Sequence, residues 1–222
     1  MSELLKKGII KKEGEISKLF ESMTPGKTFC DVKYTYPHEY VKFYWDKYKT
    51  STKKNNSIGG GFFEFVIYTL LYREGILPFY TQAKVAFVPN IEFDTILYSK
   101  ECPVCLSLKT SLRERYKQAD LEAIALKYVH RKAQSYLLTL DAREAKATKA
   151  KIPEGLLIGL DDVIDCNTKQ IDELVTKLKR MKFCESTKID VVTGNLVKLA
   201  LTSGSTKICG VPSGKAVPKP KP

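Results

Sequence analysis

Two consecutive strand-like segments, 91–99 (IEFDTILYS) and 104–109 (VCLSLK), carry an acid and a lysine that could together act on a phosphate ester. Successive side chains of a strand point to opposite faces, so Ser107 and Lys109 share one face of the second segment. If the polar faces of the two strands coincide, Asp94 of the first strand meets Lys109, with Ser107 beside them. The spacing therefore predicts a carboxylate–lysine pair at this point of a sheet.

A helix predicted over 112–130 could add a second carboxylate to that pair. Arg115, Gln118 and Glu122 fall at i, i+3 and i+7, along one edge of the helix. The stripe that should pack on the sheet is apolar and consists of Leu112, Tyr116, Ala119, Ala123 and Leu126. An acid at the edge of this stripe can reach towards the sheet, so Glu122 is predicted to share a site with Asp94.

Acidic oxygens in this arrangement suit Mg²⁺, which prefers carboxylate, carbonyl and water ligands. A bound metal lowers the pKa of a coordinated water and neutralises charge that builds on a phosphate. The amine of Lys109 could steer or deprotonate that water, or stabilise the developing anion, while arginine side chains hold neighbouring phosphates. Taken singly, Asp94, Lys109 and Glu122 are each explained by an ordinary surface position, but together they favour phosphodiester hydrolysis.

A third acid, Glu64, lies within the segment 62–72 (FFEFVIYTLLY), which is apolar on every side and therefore predicts a buried helix. An unpaired buried carboxylate is costly. Glu64 must therefore find a cation, a hydrogen-bond donor or an open cleft.

The charge balance favours a polyanionic partner. Lys and Arg outnumber Asp and Glu by 37 to 25 in the 222 residues, which gives a net charge of +12. Basic side chains gain by releasing the counterions that condense on a phosphate backbone. The alternative is a basic protein that its charge merely keeps soluble. Because 43% of the residues are hydrophobic, either protein would have a substantial core.

The sequence shows no secretory signal and no apolar run long enough to cross a membrane, so we expect a cytoplasmic protein without a membrane partner. Its six cysteines are accordingly expected to be reduced thiols. Cys102 and Cys105 have the spacing of half a zinc site, but no second CxxC completes it, and the histidines are only His38 and His130. Structural zinc is therefore not expected.

The elements that would position the site follow from periodicity and turn residues. Strands are predicted at 83–89, 91–99, 104–109, 135–141 and 155–166, and a hairpin around Thr193-Gly194-Asn195 within 186–201. Helices are predicted at 2–23 (broken near Gly8 or Gly14), 62–72, 112–130, 141–151 and 168–183. The first three strands should form an antiparallel meander, and the helix 112–130 is long enough for a parallel crossover to the fourth.

The aromatic segment 34–49 (YTYPHEYVKFYWDKYK) has two interpretations. An amphipathic helix with an aromatic core face is favoured. The alternative is a segment whose rings stack on or wedge between nucleic-acid bases.

This arrangement resembles the PD-(D/E)XK nuclease superfamily and, within it, the type II restriction endonucleases. Residues 59–141 are similar to the core of that family in the order of their predicted elements: a helix, a three-stranded meander, a crossover helix and a further strand. The run 109–120 (KTSLRERYKQAD) also looks like segments of such enzymes. The resemblance implies an α/β fold (α+β-like) whose mixed central sheet is flanked by helices.

The resemblance also implies roles for individual residues. Asp94 stands where the family has its metal-binding Asp, with Phe93 in place of the motif's proline. Ser107-Leu108-Lys109 looks like the (D/E)XK element with Ser in place of the acid. Some restriction enzymes with this replacement take the missing carboxylate from the following helix, and Glu122 lies 13 residues after Lys109.

Two other acids could complete the metal site. Glu114 is the second candidate for the missing carboxylate, and Glu64 resembles an acid that many of these enzymes carry on the helix before the meander. Asp94, Glu122 and Glu64 are thus the predicted Mg²⁺ ligands and, with Lys109, the predicted catalytic residues. The residues expected to bind nucleic acid are Arg113, Arg115, Lys117, Gln118 and Ser107.

We therefore expect a Mg²⁺-dependent type II restriction endonuclease of a restriction–modification system, which cleaves double-stranded DNA at a short sequence as a homodimer and needs no small-molecule cofactor. One nuclease domain would span 1–211, with the catalytic core at 59–141 and DNA-recognition or dimerisation elements at 1–58 and 142–211, followed by a disordered basic tail at 212–222. The alternatives are a non-catalytic DNA-binding protein and a structure-specific or repair nuclease on the same fold.

Overall fold

A computed structural model of the chain describes residues 2–53, 55–186 and 192–198. The helices in these ranges are α1 (Glu3–Lys6), α2 (Glu15–Ser22), α3 (Pro37–Thr50), α4 (Asn56–Arg73), α5 (Arg115–Val129), α6 (Ala142–Ala150) and α7 (Lys169–Lys179). The strands are β1 (Phe79–Val85), β2 (Phe93–Leu97), β3 (Val104–Lys109), β4 (Gln134–Thr139), β5 (Asp162–Asp165) and β6 (Val192–Val197). The tail predicted at 212–222 lies outside the described residues.

The described strands form one mixed sheet in the order β5-β4-β3-β2-β1-β6. β1, β2 and β3 make an antiparallel meander, α5 crosses over to β4 parallel to β3, and β5 continues parallel to β4. β6 pairs antiparallel with the outer side of β1. This confirms the predicted fold class and the predicted order of helix, meander, crossover helix and further strand.

Different helices cover the two faces of the sheet. In one core, helices α1, α2, α3, α4 and α7 pack against the face of the sheet that carries Leu106 and Leu138. On the other face, Ala119 of α5 and Ala145 of α6 pack with Leu137. The alternation between Leu137 and Leu138 follows from the pleat of the strand. The apolar stripe predicted for the crossover helix is confirmed, although that helix begins only at Arg115.

The apolar helix predicted over 62–72 is the C-terminal part of α4, which is buried against β3 and the N-terminal helices. Because the helix is apolar around its whole circumference, it is covered both by neighbouring helices and by the sheet. Within the described parts of the chain, no helix combines the length and apolar character needed to cross a membrane.

The aromatic segment 34–49 folds largely into α3, and its rings belong to the core. Tyr40, Tyr44 and Tyr48 are buried, and the Tyr44 ring stacks on Phe20 with centroids 4.5 Å apart. The large ring exposed here is that of Tyr36, at 53%. The helix interpretation is confirmed. Base stacking by this segment was the wrong alternative, because the rings that would stack are already packed.

Strand β1 spans Phe79–Val85, so the prediction at 83–89 was wrong by several residues. The buried β-forming residues Phe79 to Thr81 belong to the strand because β2 and β6 flank it on both sides. The strand cannot extend to residue 89. The chain turns at residues 86–90, where Phe87 and Asn90 adopt left-handed backbone angles, with φ of 66° and 61°, that do not fit regular strand geometry.

The hairpin predicted around Thr193-Gly194-Asn195 is also wrong, since these residues lie inside β6 and pair with β1. Gly194 permits this close pairing, because a Cβ there would lie 2.7 Å from the carbonyl oxygen of Thr81. The glycine that suggested a turn therefore allows a close approach of two strands. Residues 187–191 of the predicted hairpin lie outside the described residues.

Only Asp162–Asp165 of the strand predicted at 155–166 is extended. The residues before it form turns that a helix side chain holds in place. The Asp120 carboxylate accepts hydrogen bonds from the backbone N–H groups of Gly159 (2.8 Å) and Leu160 (3.0 Å). These donors are thus satisfied without a strand partner, which is why the apolar run does not become sheet.

One cysteine departs from the expected reduced state. Cys30 is disulfide-bonded, so the expectation of six free thiols is wrong at this residue. Free thiols are found at Cys102, Cys105, Cys166 and Cys184. Local spacing could not reveal the difference, because disulfide pairing depends on which distant segments the fold brings together.

The contact between Gly159 and α5 gives a test of the fold. A Cβ at position 159 would lie 2.3 Å from Asp120 O and 2.7 Å from Ile124 N, both backbone atoms that cannot move independently. Gly159→Ala is therefore expected to destabilise the protein by about 1–3 kcal/mol, measured by urea unfolding. The matched control is Gly60→Ala in α4, where nothing lies within 4 Å of the added carbon. That change should be neutral or stabilising by up to about 1 kcal/mol. Equal effects of the two changes would contradict the packing described.

Candidate active site

The predicted Asp94–Lys109 pair lies where β2 and β3 stop pairing. The ladder runs through Leu97↔Val104, Ile96↔Cys105 and Thr95↔Leu106 and then ends. Beyond it, the Asp94 carboxylate takes the place of a strand partner. Its Oδ2 accepts a hydrogen bond from the backbone N–H of Leu108 at 2.7 Å. The position of this acid is therefore fixed by the main chain of the sheet.

The Lys109 ammonium donates to the same oxygen, with Nζ 2.7 Å from Asp94 Oδ2. The side chains are 14% and 15% exposed for Lys109 and Asp94, so both are largely shielded from water. A charge-assisted bond in such a place is stronger than a surface ion pair. The side chains lie on the face of the sheet and at the strand end that the sequence predicted.

Glu64 reaches this pair from α4. Its Oε2 lies 3.2 Å from the hydroxyl of Tyr68, one turn further along the helix, and that hydroxyl also donates to the Asp94 carbonyl at 2.9 Å. Burial raises the pKa of Glu64 to about 7, and the negative charge of Asp94 adds to the shift. Lys109 acts in the opposite direction. The predicted buried acid has therefore found hydrogen-bond donors, and it is coupled to the predicted site.

Glu122 lies on α5, on the opposite face of the sheet from α4, and it influences the pair through its charge. Burial raises its pKa, whereas the Gln118 amide and the Lys109 charge lower it. Gln118 Nε2 donates to Glu122 Oε1 at 2.8 Å, one helical turn away. Asp94 also influences the pKa of Glu122, so this carboxylate lies within electrostatic range of the pair.

Glu114, the second candidate for the missing acid, has different surroundings. Its side chain is 78% exposed and forms an ion pair with Lys117. The hydrogen bond and charge of Lys117 lower the pKa of Glu114. Of the two acids, Glu122 is the one electrostatically coupled to the Asp94–Lys109 pair.

The three carboxylates do not form a ready-made metal centre. Asp94 is bound by Leu108 and Lys109, Glu64 by Tyr68 and Glu122 by Gln118. Among the residues that the structure describes, no three Asp, Glu, His or Cys side chains are arranged to hold a metal ion. Hard carboxylate oxygens are nevertheless the donor set that suits Mg²⁺.

The residues predicted to bind nucleic acid divide into two groups. Arg113, Arg115, Lys117 and Gln118 are exposed on the start of α5 and the loop before it. Ser107 is 5% exposed and faces the interior beneath α5, and its Oγ has no hydrogen-bond partner among the described residues. The first group is presented to a partner, whereas Ser107 is not.

Gln82 is a polar neighbour that the sequence analysis missed. Its Nε2 donates to Glu64 Oε2 at 3.2 Å, and its backbone has a left-handed φ of 48°, which is uncommon for a residue other than glycine. It lies at an irregularity where the β1–β6 register shifts between Thr81 and Lys84. The strand predicted at 83–89 did not include Gln82. The bulge at this residue depends on pairing with β6, which is far away in sequence.

Glu144 is the second residue that sequence reasoning missed. From the first turn of α6, its carboxylate accepts the backbone N–H groups of Leu112 and Arg113, the latter at 3.1 Å. Arg113 has a left-handed φ of 40°, so these bonds hold a strained turn between β3 and α5. The one signal in the sequence was that Glu144 falls in the first turn of the helix predicted at 141–151, where an acid is favoured.

No protein-family model matches the chain, and no curated protein matches it. Among solved structures, the chain is similar to the restriction endonuclease PspGI in complex with its substrate DNA. The match has 20% sequence identity and a TM-score of 0.45, and it covers 66% of this chain and 70% of that one. At this identity and TM-score, the likeness does not establish a family or an activity for the chain.

Glu64 gives a test of the electrostatics of the site in the metal-free protein. Its pKa is about 7 in the folded protein against an ordinary value of 4.5, so the folded state binds this proton more tightly than the unfolded state. Stability should therefore fall as pH rises through this interval, by up to roughly 3 kcal/mol. Glu64→Gln should remove that part of the pH dependence.

The measurement is urea unfolding at pH 5 and pH 8 in the presence of a chelator. Glu92→Gln, an exposed acid just before β2, serves as the matched control and should leave the pH dependence unchanged. A wild-type and a Glu64→Gln protein with the same pH dependence would contradict the raised pKa of Glu64.

Proposed function

We propose that this protein is a Mg²⁺-dependent endonuclease that hydrolyses phosphodiester bonds in double-stranded DNA, of the type II restriction class that cuts at a short specific sequence. The observation that carries the proposal is the Asp94–Lys109 pair at the point where β2 and β3 part, with Glu64 and Glu122 coupled to it from either face of the sheet. Acids and a lysine that converge from two strands and two helices have no need to do so for folding alone.

The ligands proposed for Mg²⁺ are Asp94, Glu122 and Glu64. Burial is the main cause of the raised pKa of both glutamates, and the negative charge of Asp94 adds to it; a divalent cation would relieve both effects. When bound, the metal would lower the pKa of a coordinated water and offset the charge that develops on the phosphate. Each glutamate is held by neutral hydrogen-bond donors that a metal could replace at modest cost.

The chain's own residues supply the remaining chemistry. Lys109 holds Asp94 Oδ2 with an ammonium that can also donate to a phosphate oxygen or to the attacking water. The Leu108 N–H keeps the carboxylate in place when the lysine turns to the substrate. Tyr68 keeps Glu64 aligned with the Asp94 main chain. These contacts preorganise the site without any movement of the sheet.

Binding of the polyanion is assigned to the start of α5. Arg113 and Arg115 are exposed, lie a few residues after Lys109, and have no ion-pair partner among the described residues. Lys117 and Gln118 continue this surface. On binding, Lys117 would leave its ion pair with Glu114 and contact a phosphate instead. Ser107 is buried beneath the helix and is not part of this surface. A homodimer would present two such sites to the two strands of a palindromic target.

One observation favours a second candidate, a DNA-binding protein without catalysis. The proposed ligands are separately engaged by other groups, and they do not form a ready-made metal centre within the described ranges. In such a protein the same basic side chains would bind phosphates, and Mg²⁺ would leave the DNA uncut.

A plasmid digest with and without Mg²⁺ separates these functions. Discrete fragments that appear only with Mg²⁺ are expected for the proposed enzyme. Nicking or a smear would favour a structure-specific or repair nuclease, and intact but shifted DNA would favour the non-catalytic protein.

Asp94→Ala and Lys109→Ala are both expected to abolish cleavage in the same digest. Asp94→Ala should keep or improve DNA binding, because it removes a negative charge that faces phosphate. Full cleavage by Asp94→Ala would eliminate the proposal.

The second metal ligand is tested by a matched pair on one helix. Glu122→Gln should reduce cleavage by orders of magnitude and weaken Mg²⁺ binding measured by calorimetry, because it keeps the shape but removes the charge. Mn²⁺ should restore part of the activity, since it binds such sites more tightly. Glu114→Gln, an exposed acid at the start of the same helix, should change Mg²⁺ binding little. The reverse result would move the second ligand to Glu114.

A further inference from the structure

Helix α6 begins beside the proposed active site. In the parallel pairing of β3 with β4, Lys109 lies opposite Thr139. The chain leaves β4 there, and Asp141 caps α6 by accepting a hydrogen bond from the Glu144 N–H at 2.8 Å. The first turn of α6 is therefore at the same edge of the sheet as Lys109.

Two side chains tie α6 to the start of α5. Near its first turn, Glu144 binds the main chain of Leu112 and Arg113. At its end, Lys151 Nζ donates to the hydroxyl of Tyr116 at 2.7 Å and lies 4.0 Å from the centre of that ring. Helix α6 and the start of α5 thus form one surface, and their relative position is fixed at both ends of α6.

The outer side of α6 carries positive charge that the protein itself does not neutralise. Arg143 and Lys146 are exposed and, among the described residues, have no ion-pair partner. Ala142, Ala147 and Ala150 are also exposed on this helix, and so is Lys149, which pairs with Asp162 of β5. The acid of this helix, Glu144, is turned to the α5 loop by its two backbone bonds. A long acidic partner can therefore approach the helix closely.

We propose that Arg143 and Lys146 of α6, together with Arg113 and Arg115, form a continuous surface that binds the phosphate backbone of double-stranded DNA beside the cleaved bond. The identification of the polyanion as DNA rests on the proposed function. Arg143 and Lys146 are about one helical turn, or ~5 Å, apart, which is enough to span neighbouring phosphates of one strand at ~3.4 Å of axis each. Such contacts position the duplex and carry no sequence information themselves.

The test compares two double variants that each remove two positive charges. One is R143A/K146A, on α6. The control is K18A/K42A, whose lysines are exposed on α2 and α3, helices that pack on the opposite face of the sheet. Binding to a 30-base-pair duplex is measured by fluorescence anisotropy over a range of NaCl concentrations with Ca²⁺ in place of Mg²⁺. Alanine is a strong helix former, and thermal unfolding verifies that both proteins fold.

R143A/K146A should lower the slope of log K against log[salt] by about 2 and weaken binding ~10–100-fold at low salt, since ~0.9 counterions are released per phosphate contact. The charge-preserving swap R143K/K146R should keep the wild-type slope, which a merely structural effect of substitution would not do. K18A/K42A should also keep it. A wild-type slope in R143A/K146A, or an equal loss in the control, would overturn the proposal.

Plasmid cleavage with Mg²⁺ separates failure of this surface from failure of the proposed function. If the wild-type protein binds DNA with the expected α6 dependence but never cleaves it, the surface stands and the nuclease proposal fails. If the wild type cleaves and R143A/K146A keeps the full salt slope, the nuclease proposal stands and the surface fails. Loss of duplex RNA binding in R143A/K146A with unchanged DNA binding would overturn the choice of DNA.

Discussion

The candidate site depends on one hydrogen bond from the main chain: the Leu108 N–H to the carboxylate of Asp94. It replaces a strand partner at the point where β2 and β3 part, so the acid is fixed by the sheet rather than by a flexible side-chain contact. Lys109, the next residue, then reaches the same oxygen. The Leu108 N–H belongs to the backbone of an inner strand and cannot move without disrupting the sheet. Asp94 is therefore the most rigidly held acid of the site.

The two flanking acids are held in a different way. Glu64 and Glu122 are bound by amides, Gln82 and Gln118, and Glu64 also by a tyrosine hydroxyl. Neutral hydrogen bonds contribute about 1 kcal/mol each, whereas carboxylate contacts to a cation contribute considerably more. The site thus combines one rigid acid with two that can exchange their partners. This distribution explains how the carboxylates can lie near one another: Lys109 neutralises Asp94, the amides satisfy the two glutamates, and a raised pKa keeps Glu64 partly protonated near neutral pH.

Local patterns predict the parts of the site that depend on strand alternation and helical spacing. The 104–109 segment alternates apolar and polar residues in one unbroken strand, so the side that Lys109 faces follows from sequence alone. Glu64 was recognisable because an acid inside an apolar helix needs a partner. Gln82 and Glu144 could not be found in this way. The first depends on a bulge against β6, and the second on a contact between α6 and a loop 31 or 32 residues earlier in the chain. The β1 and β5 boundaries failed for the same reason, since tertiary contacts set them.

Helix α5 links these local and distant determinants. Its exposed Gln118 binds the half-buried Glu122, while Asp120, two residues before Glu122, binds the backbone at Gly159 and Leu160. Glu144 holds the turn through which the chain enters the helix. The rotation of α5 about its axis is thus set by segments that follow it in sequence as well as by its packing on the sheet. Rotation decides whether Glu122 faces Lys109 or solvent, so residues 141–160 help to place the second proposed ligand, whereas the strands alone place the first.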